Sequence, residues 1–388
     1  AFGSLVGVGA STLISVKLGQ KDYTTAQQIL GNVVSLNLII GVLFTIVCLL
    51  FLDPILYFFG ASEATLPYAK DYMVTILLGN VITHMYLGLN SVLRSAGQPQ
   101  KARAATILTV IVNTLLDPLF IYTFHMGIKG AAVATVLAQV ISLCWLIRIF
   151  CNKNELLHFR RGIYRLKRIL VENIIGMAPF FMNLASCFIV ILINKGLKLY
   201  DGDLAIGAFG IVNRIVFLFV MIVMGLNQGM QPIAGYNFGA QNYHRVNQVM
   251  KYTVIAATIV TTSGSLVGEL MPELAVAAFT TDSQLIQLSA KGLRVVVMFF
   301  PIIGFQMVTS NFFQSIGMAK KAIILSLSRQ VLILIPCLLI LPLFWGVDGV
   351  WYSMPISDIT ASIIAGSMLY SQFQKFKRHA AETGIDIK

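Results

Sequence analysis

Polar residues that suit a small cation lie together in one apolar stretch of the chain, residues 104–123. Asn113 and Asp117 are four positions apart, so in a helix both side chains project from one face. Pro118 has no backbone N–H, which leaves the carbonyl of Thr114 without its usual donor. Carboxylate, amide and carbonyl oxygens are the ligands that small hard cations prefer, and an ionisable residue in such a stretch is a functional candidate by default. The pattern predicts a cation site, although the same residues also suit an aspartate that only bonds neighbouring helices.

Thr135, in the next apolar stretch, is the candidate partner of this pair. Asp117 lies about 14 residues, or roughly 21 Å, from the inner start of its helix, hence about 9 Å below the outer end of a membrane core roughly 30 Å thick. Thr135 lies about seven residues, or roughly 10 Å, from the outer end of the following helix. The matching depths predict a cluster of Asn113, Asp117 and Thr135. A threonine that only bonds its own helix is the alternative.

The elements that position these residues must be membrane helices. The chain has 388 residues, of which 57% are hydrophobic and only 11% are charged. Globular chains carry roughly 25% charged residues, so an ordinary soluble protein is excluded. A porin-like barrel is excluded because its strands are short and alternate in polarity. The five cysteines form no CxxC pair, so neither a disulfide framework nor a metal site is predicted. No cofactor is expected, and the composition predicts an all-α polytopic membrane protein.

Each crossing of a bilayer needs roughly 20 apolar residues. Apolar runs broken by charge or by glycine and proline predict eleven helices, the first of them short, at about 1–16, 28–52, 66–93, 104–123, 128–150, 169–197, 204–236, 247–270, 285–316, 322–344 and 349–374.

The connectors between these runs alternate in charge. The basic set is Lys17, Lys21, Arg94, Lys101, Arg103, Lys153, Arg160, Arg161, Arg165, Lys167, Arg168, Arg245, Lys251, Lys320, Lys321, Lys375, Lys377 and Arg378. The intervening set is acidic, with Asp53, Glu63, Asp201, Asp203, Glu273, Asp282 and Asp348. The positive-inside rule places the basic connectors and the C-terminus in the cytoplasm. We therefore attribute the net charge of +12 to the basic connectors that fix the orientation of the chain in the membrane, and no nucleic-acid partner is expected.

The chain also contains an internal repeat. An offset of 220 aligns Ser95, Gly97, Lys101 and Ala102 with Ser315, Gly317, Lys321 and Ala322. Two homologous halves of the same in/out sense imply parallel repeats about an axis near the membrane normal. The predicted domains are a first lobe at 1–150, a basic cytoplasmic linker at 151–168 and a six-helix second lobe with a short tail at 169–388. By the same offset, the counterpart of the helix near 169 would begin about fifty residues before Ala1. We therefore expect an N-terminally truncated twelve-helix protein, with Ala1 at membrane depth.

Several motifs resemble the multidrug and toxic compound extrusion (MATE) family. They are Leu93-Arg-Ser-Ala-Gly97, Asn113-Thr-Leu-Leu-Asp-Pro118, Gln228-Gly-Met-Gln-Pro-Ile-Ala-Gly-Tyr-Asn-Phe-Gly-Ala240, Ser328-Arg-Gln330 ahead of Pro336, and Gly349-Val-Trp-Tyr-Ser-Met-Pro-Ile-Ser-Asp358. The DinF-like bacterial branch is the most similar, because the first lobe carries the Asn/Asp pair and a threonine in the next helix. In that branch the first helix, which we expect to be missing from this chain, supplies another acidic residue.

The resemblance implies two six-helix lobes related by a pseudo-two-fold axis, here with the first helix missing. It also implies an antiporter of the bacterial inner membrane that exports amphiphilic, often cationic, organic compounds in exchange for H⁺ or Na⁺ by alternating access. Its expected partners are the organic substrates and the lipid bilayer, and the expected state is a monomer. Asn113, Asp117 and Thr135 would then hold the coupling cation.

The second lobe has no twin of this site, because Pro336 and Cys337 occupy the positions where Asp117 would repeat. Its own polar residues, expected to be buried, are Asn194, Arg214, Gln228, Gln231, Arg294, Arg329, Gln330 and Asp358. Arg329 and Asp358 must be paired or hydrated at their depth. Two interpretations remain open for this set, a structural pairing between helices and a role in lining a cavity or its gate.

Two other functions compete with drug export. A lipid-linked oligosaccharide flippase of the same superfamily would need many more cationic residues in its cavity to bind pyrophosphate. An intramembrane enzyme would need a Ser/His pair, paired aspartates or an HExxH motif at matching depth, and the sequence has none of these. The sequence thus favours export, and no catalytic residue is predicted.

Overall fold

A computed structural model describes residues 2–59, 62–63, 65–160 and 166–383 of the chain. Within it, side chains are described except those of residues 2, 4, 166–175, 198–203, 377 and 379–383. The described backbone consists of helices and the turns between them, and it contains no strand. The predicted all-α class is confirmed.

Seven described helices are long and apolar enough to cross a membrane, or nine if each of two bent helix pairs counts as one crossing. Two features account for the difference from the eleven predicted runs. The first helix has a short apolar part, Leu5–Gly19, and the 58-residue stretch Ala319–Phe376 is broken at Gly346, which is not helical (φ 55°). Length and composition thus identify a multi-pass membrane protein.

The chain divides into two compact units, Ala1–Gly176 and Met177–Lys388. The helices of the first unit are α1 Phe2–Gly19, α2 Tyr23–Leu50, α3 Leu52–Phe58, α4 Leu66–Leu78, α5 Asn80–Ser95, α6 Pro99–Pro118 and α7 Gly127–Cys151. A π-helical turn, Leu119–Thr123, continues α6.

The helix α8, Leu166–Gly239, runs from the first unit into the second, where its apolar parts are Gly176–Leu197 and Leu204–Gly239. The second unit continues with α9 Tyr243–Leu270, α10 Pro272–Ala277, α11 Ser283–Val297, α12 Phe300–Ser315, α13 Ala319–Leu327 and α14 Ile335–Thr383. A π-helical segment, Ser328–Leu334, joins α13 to α14.

The repeat offset of 220 residues is visible in the backbone at the helix starts. Lys21 and Gln241 have positive φ angles of 60° and 58°. Each precedes an N-cap residue, Asp22 or Asn242, whose side chain accepts a hydrogen bond from the backbone N–H three residues later. Such a cap satisfies one of the orphan donors of a helix terminus. The two halves therefore begin corresponding helices in the same way.

The same equivalence holds at two pairs of glycines. Gly97 and Gly317 follow helix ends with φ angles of 80° and 78°, a region that only glycine enters without steric cost. Gly127 and Gly346, at an offset of 219, have φ angles of 54° and 55°. Corresponding crossings are also bent alike, by 51° between α4 and α5 and by 54° between α11 and α12. These features agree with the internal repeat.

The segment after α7 is packed against the first unit. Leu157 is buried in that unit's core. The side chain of Gln27 on α2 hydrogen-bonds both backbone groups of His158, accepting from its N–H at 3.2 Å and donating to its carbonyl. The acidic member of this basic connector, Glu155, accepts hydrogen bonds from Lys101 and Gln98. Residues 152–160 are thus an integral part of the first unit.

Candidate functional site

The predicted cation ligands come together between α6 and α7. The amide nitrogen of Asn113 lies 3.2 Å from a carboxylate oxygen of Asp117 on the same helical face. The same nitrogen lies 3.5 Å from the hydroxyl of Thr135 on α7. The Thr135 hydroxyl also donates to the carbonyl of Ala131, one turn earlier, at 2.9 Å. Both interpretations of Thr135 therefore hold at once, since it bonds its own helix and also belongs to the cluster.

The backbone around the cluster departs from a regular α-helix at Pro118, as expected for a residue without a backbone N–H. The helix α6 ends at Pro118, and the next five residues wind into the π-helical turn Leu119–Thr123. On α7, a Cβ at Gly130 would lie 2.8 Å from the carbonyl carbon and oxygen of Phe120. Real Cβ atoms do not approach so closely, so only glycine lets α7 pack against this turn. Thr135 is thereby held beside Asp117.

The charge of Asp117 is not compensated by a protein cation among the described residues. The ion pairs found there involve other carboxylates. Asp117 and Asn113 are both partly buried. In the described part of the chain, no cluster of three or more His, Cys, Asp or Glu residues is placed to bind a metal ion. A carboxylate with amide and hydroxyl neighbours is instead suited to a proton or an alkali cation.

The polar surface of α6 extends beyond the predicted residues. Thr109, one turn before Asn113, donates to the hydroxyl of Ser142 on α7 at 2.7 Å. The hydroxyl of Tyr86 on α5 lies 3.1 Å from the same Thr109 oxygen. Sequence reasoning missed these three residues. The i, i+4, i+8 spacing of Thr109, Asn113 and Asp117 was a signal for Thr109, but no local pattern indicated Tyr86 or Ser142. The cation cluster is thus one end of a polar strip on the α6 surface.

In the second unit, Arg329 and Asp358 form an ion pair. The Nε of Arg329 donates to a carboxylate oxygen of Asp358 at 2.7 Å. Asp358 is only 2% exposed, whereas the arginine side chain is 26% exposed. Next to Arg329 in the π-helical segment, Gln330 donates its side-chain N–H to the hydroxyl of Ser186 at 3.1 Å. This geometry satisfies the expectation that both charges need a partner.

Both residues of the pair line a cavity of about 230 Å³ within the second unit. Of the residues predicted for this lobe's polar cavity, Arg329, Gln330 and Asp358 line it. The structure thus brings together three of the predicted residues at one site.

The other polar residues predicted for this lobe lie away from the cavity. Asn194 is partly buried and does not line it, and Gln231 is buried elsewhere. The expected burial of Arg214, Gln228 and Arg294 is wrong, because all three are exposed. Hydropathy gives the position of a residue along a helix but not the direction in which its side chain points.

The two units place their ionisable groups differently on corresponding helices. The offset of 220 residues relates Asp117 of the first unit to Cys337 of the second. It also relates Thr109 of the first unit to Arg329 of the second. Asp117 and Arg329 are thus eight positions apart in the repeat, which is about 12 Å along a helix. The offset of 219 likewise relates Gln139 to Asp358. The two polar clusters are thus chemically distinct and occupy different positions along corresponding helices.

Comparison with known proteins gives consistent matches. The profile of the MatE family matches residues 1–119 and 173–339. The chain is 28% identical over 373 residues to the multidrug export protein MepA of Staphylococcus haemolyticus (strain JCSC1435), covering 96% of this chain and 82% of that protein. It is 27% identical over 370 residues to MepA of Staphylococcus aureus (strain MSSA476), covering 95% and 81%.

Two solved structures illustrate the similarity of the fold. The MATE multidrug transporter DinF-BH, solved in complex with rhodamine 6G, matches with a TM-score of 0.88 and 34% identity over 95% of this chain and 83% of that one. An outward-facing MATE family transporter of the MOP superfamily matches with a TM-score of 0.90 over 97% and 85%. Its identity of 24% supports the fold alone.

Proposed function

This chain belongs to the MatE family of membrane transporters, and from that premise we propose that it exports amphiphilic, often cationic, organic compounds in exchange for H⁺ or Na⁺ by alternating access. The activity is transport rather than a chemical conversion. Its membrane is the bacterial inner membrane, with the basic connectors and the C-terminus in the cytoplasm. The protein works as a monomer, and its partners are the organic substrate and the bilayer.

The observation that carries the coupling part of this proposal is the cluster of Asn113, Asp117 and Thr135. A proton or Na⁺ at Asp117 cancels the carboxylate charge, and its release restores that charge in a partly buried place. Without a bound cation, the charged carboxylate of Asp117 favours the state of the first unit in which water hydrates it. With a proton or Na⁺ bound, the same carboxylate favours the state in which it is not hydrated. Shifting a two-state equilibrium from 1:99 to 99:1 takes about 5.5 kcal/mol.

The irregular backbone supports the same assignment. Because Pro118 removes one helical hydrogen bond and a π-helical turn follows it, this part of α6 can change its winding at lower cost than a regular helix. The occupancy of Asp117 would therefore act on the segment that is most easily rearranged.

Export from everted membrane vesicles containing the protein tests the proposal, with the dye rhodamine 6G as the first substrate because DinF-BH is solved with it. A pH gradient and a Na⁺ gradient are imposed separately, in the presence and absence of ionophores that collapse each one. We expect uptake of the dye with one of the two gradients and its loss when that gradient collapses. Uptake that neither gradient changes would contradict cation coupling.

A further inference from the structure

A separate cavity lies within the first unit, where α6 begins and α7 ends. Its volume is about 560 Å³. The residues that line it come from α6, α7 and the connector after α7, and they are Lys101, Trp145, Arg148, Ile149, Asn152 and Glu155. Both helices are long and apolar enough to cross a membrane, and α6 begins at Pro99 while α7 ends at Cys151. The cavity is therefore at the level of the bilayer surface.

The lining of this cavity carries two cations and one anion. Lys101 pairs with the carboxylate of Glu155, which also accepts a hydrogen bond from Gln98. Arg148 is exposed, and it has neither an ion pair nor a hydrogen bond within the described part of the chain. One positive charge of the cavity is thus left without a protein counterion.

Three side chains at the cavity offer N–H donors to a ligand. They are the guanidinium of Arg148, the ammonium of Lys101, which has three donors and is 44% exposed, and the amide of Asn152. The oxygen of Asn152 already accepts from the backbone N–H of Asn154 at 3.1 Å, which leaves the amide N–H groups for a ligand. A guanidinium binds two oxygens of a phosphate at once. This donor set suits a phosphodiester, which carries one negative charge.

An apolar surface continues from the cavity along α7. Trp145 lies six residues before the end of α7, or roughly 9 Å along the helix, and tryptophan is enriched at the membrane interface. Leu137 and Ile141 precede it at a spacing of four residues, and all three side chains are exposed on one face of the helix. This face extends roughly 12 Å from the cavity towards the middle of the membrane. An acyl chain attached to a bound headgroup would lie along it, whereas a soluble anion would leave it unused.

We propose that this cavity binds the headgroup of an anionic phospholipid, such as phosphatidylglycerol. The phosphate accepts from Arg148, Lys101 and Asn152, and one acyl chain packs along Trp145 and Ile141. A choline headgroup would add a cation to a site that is already positive, so charge selects the anionic lipid. The inference goes beyond the proposed transport function, because lipid binding at equilibrium needs neither a gradient nor a transported substrate.

Trp145 is itself a reporter of the bound lipid. Of the three tryptophans, Trp351 is buried and Trp345 is exposed in the second unit, so Trp345→Phe leaves Trp145 as the exposed one. This variant is reconstituted into phosphatidylcholine nanodiscs with increasing amounts of phosphatidylglycerol or phosphatidylcholine whose acyl chains are brominated, since bromine quenches a neighbouring indole. We expect half-maximal quenching at an about fivefold lower mole fraction of the brominated phosphatidylglycerol, because one positive charge is uncompensated. Identical quenching curves would overturn the proposal.

A matched pair of variants in the same background locates the site. Arg148→Gln removes the uncompensated charge and should bring the two quenching curves together. Arg103→Gln is the control, since Arg103 is an exposed cation near the same end of α6 that does not line the cavity, and it should keep the fivefold preference. A full preference in Arg148→Gln would contradict the assignment of the lipid to this cavity.

A soluble phosphodiester is the other source of the same chemical group. Glycerophosphoglycerol, the deacylated form of phosphatidylglycerol, is added at millimolar concentration to the nanodiscs with the brominated lipid. We expect the quenching to remain, because the headgroup alone lacks the contacts of the acyl chain. Relief of quenching would show that the cavity takes a soluble anion and would overturn the assignment to a lipid.

Discussion

Asn113 donates an amide N–H to Asp117 across 3.2 Å, one helical turn apart on α6, and its nitrogen also lies 3.5 Å from the hydroxyl of Thr135. One side chain thus links the carboxylate to the neighbouring helix. In the second unit, Cys337 occupies the position equivalent to Asp117, and the buried carboxylate there, Asp358, is already paired with Arg329. This asymmetry supports our proposal that cation coupling belongs to the first unit.

The hydroxyl of Thr135 should contribute to cation affinity. Thr135→Val removes an oxygen from the cluster, and we expect it to raise the cation concentration for half-maximal export about tenfold. Thr135→Ser keeps the oxygen and should restore most of the affinity. The control is Thr114→Val on the exposed side of α6, where the hydroxyl bonds only its own helix, to Val110 at 2.8 Å. A Thr135→Val protein that matches the control would remove Thr135 from the site.

Removing one partner of the Arg329–Asp358 pair should lower the unfolding free energy strongly, whereas replacing both partners with apolar residues should change it little. Arg329→Met leaves a buried carboxylate without its partner, for which we expect a loss of about 3–5 kcal/mol in unfolding free energy. The double variant Arg329→Met, Asp358→Leu should recover most of it, because both desolvation costs disappear. Thermal unfolding in detergent, followed with a thiol-reactive dye, measures both changes.

A surface ion pair of the same unit supplies the control for that series. Lys291 and Asp348 are 2.7 Å apart but 59% and 43% exposed. Lys291→Met should therefore cost no more than about 1 kcal/mol. If Arg329→Met were equally mild, the pair would be hydrated rather than buried.

The close approach of α7 to the π-helical turn should make Gly130 intolerant of a side chain. Gly130→Ala places a Cβ 2.8 Å from the backbone of Phe120, and we expect about 1–3 kcal/mol of destabilisation and impaired export. Gly229→Ala is the control, since nothing lies within 4 Å of a Cβ there. Equal thermal stability of the two variants would mean that α7 is not held by this contact.

Much of this arrangement follows from the sequence. Hydropathy locates the crossings, and the repeat offset pairs Gly97 with Gly317 before any coordinates are known. The depths of Asp117 and Thr135 predict their proximity, because both positions are fixed by counting residues along regular helices. Where helices are regular, counting residues along the chain is sufficient to predict how far along its helix each residue lies.

Contacts that depend on helix rotation or on long separations do not follow in this way. Gln330 meets Ser186 across 144 residues of chain, and no local pattern encodes that pairing. The exposure of Arg214 and Gln228 depends on which face of α8 packs inward. The bend between α4 and α5 occurs within a continuous apolar run, so hydropathy gives no sign of it.

The connector after α7 should respond to acid through Glu155. Hydrogen bonds from Lys101 and Gln98 hold the pKa of Glu155 below its usual value. A depressed pKa contributes stability above the unfolded-state value, near 4.3, and that stability is lost as the pH falls through the folded-state value. Unfolding of the wild type should therefore become easier below about pH 4.3, and Glu155→Gln should remove part of this dependence. Glu273→Gln, on α10, is the control, and identical pH profiles for the two variants would contradict the role of Glu155.

Gradient-driven export by Asp117→Asn tests the coupling site most directly, because the substitution keeps the shape of the side chain and removes its charge. At equal membrane abundance, we expect the variant to lose export driven by the coupling gradient while it still binds the rhodamine dye. Undiminished export by Asp117→Asn would contradict the account and place the coupling cation elsewhere.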